Sequence, residues 1–406
     1  VNMYLSRQIQ PLVSRLLKQF PAVLVTGARQ VGKSTLLKHI AKDYAYLTFD
    51  DPLLLEQAKQ EPRLFFLNHA GNVILDEVQY AQELFSLLKL EIDKQQKNGM
   101  FLLSGSQAFE LMQNVSETLA GRIAILKLQG LSLREILNVE FYLPFIPSRD
   151  YLASREKMLK SPENIWQIIH KGDMPRLYQQ ETDWEIYYSS YVSTYIERDV
   201  RQLTNITNTT DFTRFMVALA SRSGELLNYS NVAQEVGVSN ETIKRWTAIL
   251  QTSGIIYLLQ PYSNNHLKRT IKTPKIYFLN TGLMAYLTKW LTPETISKGA
   301  KSSQFFESFV VSEIIKSFTN NGIEPPLYFY RNTNQKEIDL IIEYNRTIYP
   351  IEIKTTANPN KKMAKSFALL NSLGKESTIG LGVIINQYPN KHYLAENLVA
   401  LPVRYL

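Results

Sequence analysis

Gly27, Gly32, Lys33 and Ser34 in the stretch GARQVGKST have the spacing of a phosphate cradle. Glycines let the backbone curl until successive N–H groups face anionic oxygens, and the start of the following helix completes the cradle. The expected nucleotide contacts are therefore Gly27, Ala28, Arg29, Gln30, Val31, Gly32, Lys33, Ser34 and Thr35. Lys33 is expected to reach the β and γ phosphates of ATP, and Ser34 to bind Mg²⁺. Farther along, NVILDEVQ is an apolar run ending in Asp76 and Glu77. Strand ends gather at the ligand crevice of an open α/β sheet, so Asp76 is expected to hold the metal and Glu77 to polarise the attacking water. The competing reading has both acids capping the next helix. A third strand, MFLLSGS, ends in Ser104 and Ser106, with Ser104 expected to sense the γ-phosphate.

A second constellation lies near the C-terminus, in KEIDLIIEYNRTIYPIEIKTT. Two β-rich runs joined through Asn345 and Arg346 predict a hairpin that sets Asp339 opposite Glu352. Carboxylates facing each other on one sheet face stand roughly 5 Å apart, close enough to share a hard cation. Alternation puts Lys354 on that face and Ile338, Leu340, Ile342, Ile351 and Ile353 on the other. The competing reading is a salt-bridged cluster in which Lys354 neutralises the acids.

Between the two, NYSNVAQEVGVSNETIKRWTAILQTSG resembles a helix-turn-helix, with a turn at Gly237 and Ser239 as N-cap. Helical spacing puts Ile243, Trp246, Ile249 and Leu250 on one apolar face and turns Thr242, Lys244, Arg245 and Thr247 outward. An outward basic edge suits a major groove, and Lys268, Arg269, Lys272 and Lys275 in the following run suit a wing on phosphates. DNA is the expected partner; the competing reading is a module that packs against protein.

The elements that must position these groups are those of an α/β chain. At 406 residues several domains are expected. The boundaries read as 1–165 for a P-loop parallel sheet with helices, 166–300 for a helical and winged-helix region, and 301–406 for a restriction-endonuclease-like α/β domain. The hydrophobic fraction of 45% fits globular folding, and the absence of cysteine excludes disulfides, thiolate zinc sites and a cysteine nucleophile. Any metal is left to oxygen ligands or the five histidines. The net charge of +8 suits an anionic partner. No run approaches a membrane span and no signal peptide is visible, so the expectation is a cytoplasmic protein without membrane contact.

GARQVGKSTLL, VILDEVQ, FLLSGSQAFELM, LAGRI and LQGLSLREI together resemble bacterial and archaeal AAA-type ATPases whose C-terminal half is a domain of uncharacterised function. FDDP, GDMPRLY and YIERDV extend the resemblance over nearly the whole chain. It implies that Arg122 of LAGR meets the γ-phosphate charge, in its own chain or from a neighbouring copy in a homo-oligomer. One departure is Asp173 after Gly172, where the family often carries a second glycine. The C-terminal constellation resembles the PD-(D/E)XK nuclease core, with Ile338 where that family has proline. This resemblance implies an acid on the preceding helix, Glu307 or Glu313, with Glu313 taken as the third ligand beside Asp339 and Glu352. It also implies Mg²⁺-activated water, with Lys354 stabilising charge. The expectation as a whole is Mg-ATP hydrolysis coupled to action on DNA. The alternative is an ATP-dependent signalling switch whose C-terminal half binds protein.

Overall fold

Five apolar segments of the first third pair in parallel: β1 (Ala22–Gly27), β2 (Ala45–Thr48), β3 (Val73–Asp76), β4 (Phe101–Ser106) and β5 (Ile123–Lys127). The computed structural model describes residues 4–106, 115, 117–195, 209–263, 273–332, 334–372 and 378–406. Strand order is β2-β3-β4-β1-β5. β1 and β4 are buried along their whole length, as strands covered on both faces must be. The sheet therefore presents the C-terminal ends of β1, β3 and β4 along one edge, where the sequence places its phosphate-binding and acidic residues. Helix α1 (Lys33–Ile40) leaves that edge directly.

The middle of the chain is helical: α2 (Trp184–Tyr195), α3 (Thr209–Ala220), α4 (Tyr229–Val236) and α5 (Asn240–Thr252). Gly237 takes the left-handed conformation at φ 83°, and the Ser239 side chain caps α5 by accepting from Thr242 N. Ile243, Trp246 and Leu250 are buried, with Trp246 against Phe212 and Phe215 of α3. Thr247 departs from the expected outward face. It is buried and its hydroxyl donates to Ile243 O at 2.8 Å, which satisfies it within the helix. Strands β6 (Ile256–Pro261) and β7 (Lys275–Phe278) follow as an antiparallel pair.

The C-terminal part opens with α6 (Ser302–Thr319), whose buried residues lie all round, the mark of a helix inside a core. Then come β8 (Leu327–Arg331), β9 (Glu337–Tyr344), β10 (Thr347–Ile353), a 3₁₀ stretch over Lys361–Ser372, β11 (Thr378–Ile379), β12 (Gly382–Asn386), β13 (His392–Ala395) and β14 (Leu398–Pro402). The path is β13-β14-β12-β10-β9-β8-β6-β7, with β11 beside β10. β6 joins β8 in parallel through Gln260↔Tyr328 and Pro261↔Phe329. A boundary at residue 300 thus cuts a continuous sheet: the hairpin of the middle segment is its edge. One apolar core runs from Val23 and Leu102 through Tyr188 and Phe278 to Ile342 and Ile385. Among the described residues no helix is long and apolar enough to cross a membrane.

The hairpin of β9 and β10 has the register read from sequence. Tyr344 pairs with Thr347 and Leu340 with Ile351, around Asn345 and Arg346 at φ 50° and 59°. Two successive left-handed residues match the twist of the flanking strands. Ile338 is the exception to the predicted face: it packs with Ile341 and Ile348, not with Leu340, next to a bulge in the pairing with β8.

Candidate functional site

Gly27 ends β1 at φ 145°, where a Cβ would stand 2.1 Å from Leu128 O, so no side chain fits. Gln30 and Gly32 also take positive φ, 62° and 93°, and the loop curls accordingly. Lys33 is buried at the start of α1; its ammonium donates to Ala28 O at 2.9 Å and Gly27 O at 3.1 Å. Arg29, Gln30, Gly32, Lys33, Ser34, Thr35 and Glu77 line one side of a cavity of about 470 Å³. Asp76 is buried at the end of β3 and accepts from Tyr46 Oη at 2.5 Å and from the Ser104 hydroxyl. Glu77 follows in the left-handed region at φ 57°, accepting from Gln79 Nε2 and, at 3.5 Å, from Ser106 Oγ.

Ser104 therefore does something other than expected. It is fully buried and its hydroxyl is spent on Asp76, because β4 is the immediate neighbour of β3. Its role is to orient Asp76; Ser106, two residues on, is the strand-end hydroxyl that reaches Glu77 and Gln79.

The rest of the lining comes from Pro175, Arg176, Gln179 and Thr194, with Tyr4, Leu5 and Arg7 from the N-terminal segment. Arg7 is buried and donates to Val31 O at 2.7 Å, Gln129 O at 2.7 Å and Glu135 Oε1 at 3.0 Å, bracing the loop from behind. Tyr187 Oη of α2 donates to Gln30 Oε1 at 2.7 Å. The Gly172–Asp173 step sits here too. A Cβ on Gly172 would stand 2.3 Å from Tyr188 Oη, while the Asp173 carboxylate accepts from Asn280 Nδ2 at 2.6 Å and from Lys316 Nζ at 2.9 Å.

At the C-terminal constellation, Asp339 Oδ2 accepts from Ile353 N at 2.8 Å and lies 3.0 Å from Lys354 Nζ. Lys354 Nζ lies 2.7 Å from Glu352 Oε2, and Ser366 Oγ donates to Glu352 Oε1 at 2.5 Å. The ammonium thus bridges the two acids. Burial, with Asp339 adding repulsion against the pull of Lys354, pushes the Glu352 carboxyl up to about 8.

Glu313 is not part of this group. It faces the N-terminal domain, accepting from Leu133 N at 2.6 Å and Lys316 Nζ at 3.0 Å. Glu307, about 9 Å back along the helix and on another face, is the acid of α6 on the hairpin side. It accepts from Tyr277 Oη at 2.6 Å, and burial lifts it to about 7, with Lys275 opposing and Asp339 adding. Lys275 is likewise not placed to touch phosphates: it is buried on β7, 3.7 Å from Glu307 and ion-paired with Glu337. Among the described residues no three acids or histidines are gathered closely enough to hold a metal ion.

On α5, Lys244 and Arg245 are exposed and Thr242 is half-buried, its hydroxyl 2.8 Å from Ser239 Oγ. Lys268 and Arg269 lie outside the described residues.

Residues 19–137 match the family model described as an AAA domain. The N-terminal domain is a P-loop ATPase domain of the AAA type. Residues 162–294 and 302–406 match two models described as domains of unknown function, DUF8612 and DUF4143. An uncharacterized protein of Mycobacterium tuberculosis, Rv2008c, is 27% identical over 393 residues, covering 96% of this chain and 81% of that protein. An uncharacterized protein of Haemophilus influenzae is 22% identical, covering 72% of this chain and 74% of its own length. Among solved structures, the Walker-type ATPase PABY2304 of Pyrococcus abyssi is similar at 16% identity and TM-score 0.45, over 70% of this chain and 96% of that one. A structure of a RuvB variant from Thermotoga maritima follows at 15% identity and TM-score 0.31, over 61% and 88%.

Within the AAA domain Arg122 is placed away from the cavity. Its carbonyl accepts from Ala22 N at the N-terminal start of β1, a strand length of about 17 Å from the phosphate edge. Its guanidinium is exposed and paired with Asp93, Nε to Oδ1 at 2.6 Å. The within-chain role is thereby corrected: Arg122 does not reach its own chain's nucleotide cavity. Arg7 and Arg176, which line the cavity, and Tyr187, which holds Gln30, are residues that sequence reading missed. Arg176 alone carried a signal, inside the quoted GDMPRLY.

Proposed function

We propose that the chain is a Mg-ATP hydrolase whose nucleotide state moves its C-terminal half on DNA. What carries this reading is a cavity lined from two parts of the chain: P-loop residues and Glu77 from the first, and Pro175, Arg176, Gln179 and Thr194 from the second. A ligand filling it touches both parts of the chain, so the energy of binding and hydrolysis reaches the second part directly. Ser34 and Asp76 supply hard oxygen donors of the kind Mg²⁺ takes, and the ion there would neutralise phosphate charge. Lys33 would swing from the loop carbonyls to the phosphates, and Glu77 would hold a water for in-line attack. Ser104 and Tyr46 keep Asp76 aimed.

The DNA part is supported by the exposed Lys244 and Arg245 on a capped helix after a glycine turn, in a helix-turn-helix followed by the β6/β7 hairpin, as in a winged helix. The hairpin acids, Lys354 and Glu307 support a nuclease-like core. Asp339 and Glu352 fit one hard cation once Lys354 yields its place between them.

That same bridging ammonium favours a second reading, in which the acids are internally neutralised and the C-terminal half is a protein-binding scaffold in a signalling switch. Titrating the full chain with duplex DNA across a salt series, with and without ATP, separates the two. DNA affinity that falls steeply as salt rises supports the first; no duplex binding at low salt with ATP present leaves the second. ATP turnover measured alongside checks the hydrolase itself.

A further inference from the structure

Beyond Glu352 the stretch 353–372 holds four lysines and no acid, in a chain whose 45 basic and 37 acidic residues are otherwise nearly balanced. Lys354 is spent between Asp339 and Glu352. The other three, Lys361, Lys362 and Lys365, are exposed, and among the described residues no carboxylate lies within ion-pair distance of them. Lys275, Lys301, Lys316 and Lys391 by contrast each have an acid partner.

Packing fixes where these three lysines stand. Alternation along β9 and β10 puts Asp339 on the face of Ile341 and Glu352 on the face of Ile348. Phe367 and Leu370 of the 3₁₀ stretch pack with Ile341 and Ile348 on that same face. β12 is cut back to seat the ring, since a Cβ on Gly382 would stand 2.8 Å from Phe367 Cε2. Ser366 Oγ then closes the stretch onto the site by donating to Glu352 Oε1 at 2.5 Å. At a rise of about 2 Å per residue, Lys365 adjoins Ser366, and Lys362 and Lys361 follow within about 10 Å. A line of unpaired ammonium groups thus leads up to the hairpin acids.

We propose that Lys361, Lys362 and Lys365 form a second nucleic-acid contact, separate from α5, which holds the phosphate backbone of a DNA strand against Asp339 and Glu352. This rests on the DNA reading of the C-terminal half. A row of point charges with no acid between them matches a polymer carrying one negative charge per nucleotide better than it matches a single small anion. Contacts of this kind position the strand and carry no sequence information.

Duplex affinity of the full chain, measured across a series from about 50 to about 200 mM salt, tests this. The wild type is compared with the triple variant Lys361→Gln, Lys362→Gln, Lys365→Gln and with the same three positions changed to Arg. A control, Lys59→Gln, Lys94→Gln, Lys97→Gln, removes equal charge from exposed positions of the AAA domain. Each phosphate contact contributes about 0.9 to the slope of log affinity against log salt, so the glutamine variant is expected to lose about two to three from that slope. Its affinity at the low-salt end should fall about tenfold or more, alike for unrelated duplex sequences. The arginine variant and the control should keep the wild-type slope. An unchanged slope in the glutamine variant would overturn the proposal and leave the lysines to solvent or to an acidic protein. An equal loss in the control would overturn it too, since net charge alone would then be the cause. A wild type without duplex affinity at low salt with ATP present removes the underlying DNA reading, and this inference with it. Unchanged melting temperatures certify the variants; should the triple variant unfold, the single Lys→Gln changes carry the test, each expected to lose about one from the slope.

Discussion

The ammonium of Lys316 lies 2.9 Å from Asp173 Oδ2, joining the buried helix of the C-terminal half to the segment that walls the nucleotide cavity. The same nitrogen reaches Glu313 Oε1 at 3.0 Å and Leu131 O at 2.9 Å, so one cation satisfies two acids and a carbonyl at the meeting of three segments. Glu313 in turn accepts from Leu133 N, fixing α6 to the AAA domain.

Removing that cation should be costly. Lys316→Ala leaves Asp173 and Glu313 buried without their charge partner, and breaking a buried network from one side costs about 3–5 kcal/mol. Chemical denaturation should show this loss, whereas the double variant Lys316→Met with Glu313→Gln should recover part of it. A single-variant loss under about 1 kcal/mol, the range of an exposed pair, would refute the network's importance.

Glu77, the proposed catalytic acid, makes a cleaner test than the loop. Glu77→Gln keeps shape and hydrogen bonding but cannot polarise water, so ATP affinity should stay within about twofold while kcat drops by a factor of about 100 or more. Ser104→Ala should instead disturb the orientation of Asp76, raising the Mg²⁺ concentration needed for half-maximal turnover. An ordinary Mg²⁺ requirement in that variant would separate Ser104 from the metal site.

Arg122 gives a prediction about assembly. Being a strand length away from its own cavity, it can act only on the nucleotide of another copy. Arg122→Ala should then lower turnover only where wild-type turnover per chain rises with protein concentration. Mixing Arg122→Ala with Glu77→Gln, each inactive alone, should restore activity in mixed assemblies. If specific activity is independent of concentration and Arg122→Ala is fully active, the residue is a surface ion pair with Asp93.

These cases also show what could be read ahead of the fold. The P-loop, the acids after β3 and the hairpin register are local patterns, set by residues a few positions apart. Asn345 and Arg346 fix the turn, and the turn fixes which residues face each other. Glu313 against Glu307 was not readable in this way. On a helix buried all round, apolar spacing marks no inward face, and only the packing of β7, with Lys275 and Tyr277, shows which glutamate looks toward the hairpin. Arg122 and Ser104 failed for a related reason: their roles depend on which strand neighbours which, and strand order is a property of the whole sheet.

His170 carries a pH prediction. It stacks on Trp184 with ring centroids 4.2 Å apart, and its Nε2 is buried without a hydrogen-bond partner among the described residues. Burial holds its pKa below the ordinary histidine value of 6.5, against the opposing pull of backbone carbonyls near Leu291. The unfolded chain therefore takes up a proton first as pH falls, and stability drops below about pH 6.5 until the folded form titrates too. His170→Phe, which keeps the stacking, should show a smaller fall in melting temperature between about pH 7.5 and about pH 5.5 than the wild type. Parallel falls in both proteins would assign the acid sensitivity elsewhere.

The bridging ammonium of Lys354 yields the prediction that separates a working C-terminal site from a scaffold. If a divalent cation takes the place between Asp339 and Glu352, Lys354 must move aside, and Glu352, raised to about 8, must give up its proton. Mg²⁺ should then bind more tightly as pH rises through that value, with about one proton released per ion. Lys354→Met should strengthen this binding while abolishing any Mg²⁺-dependent nicking of DNA, because the ion gains room but the charge-stabilising group is lost. Asp339→Ala should lose both and leave ATP hydrolysis intact. Calorimetry in buffers of different ionisation enthalpy counts the protons. Absence of Mg²⁺ binding at about pH 8.5 in both the wild type and Lys354→Met would leave the acids and their lysine as a structural cluster.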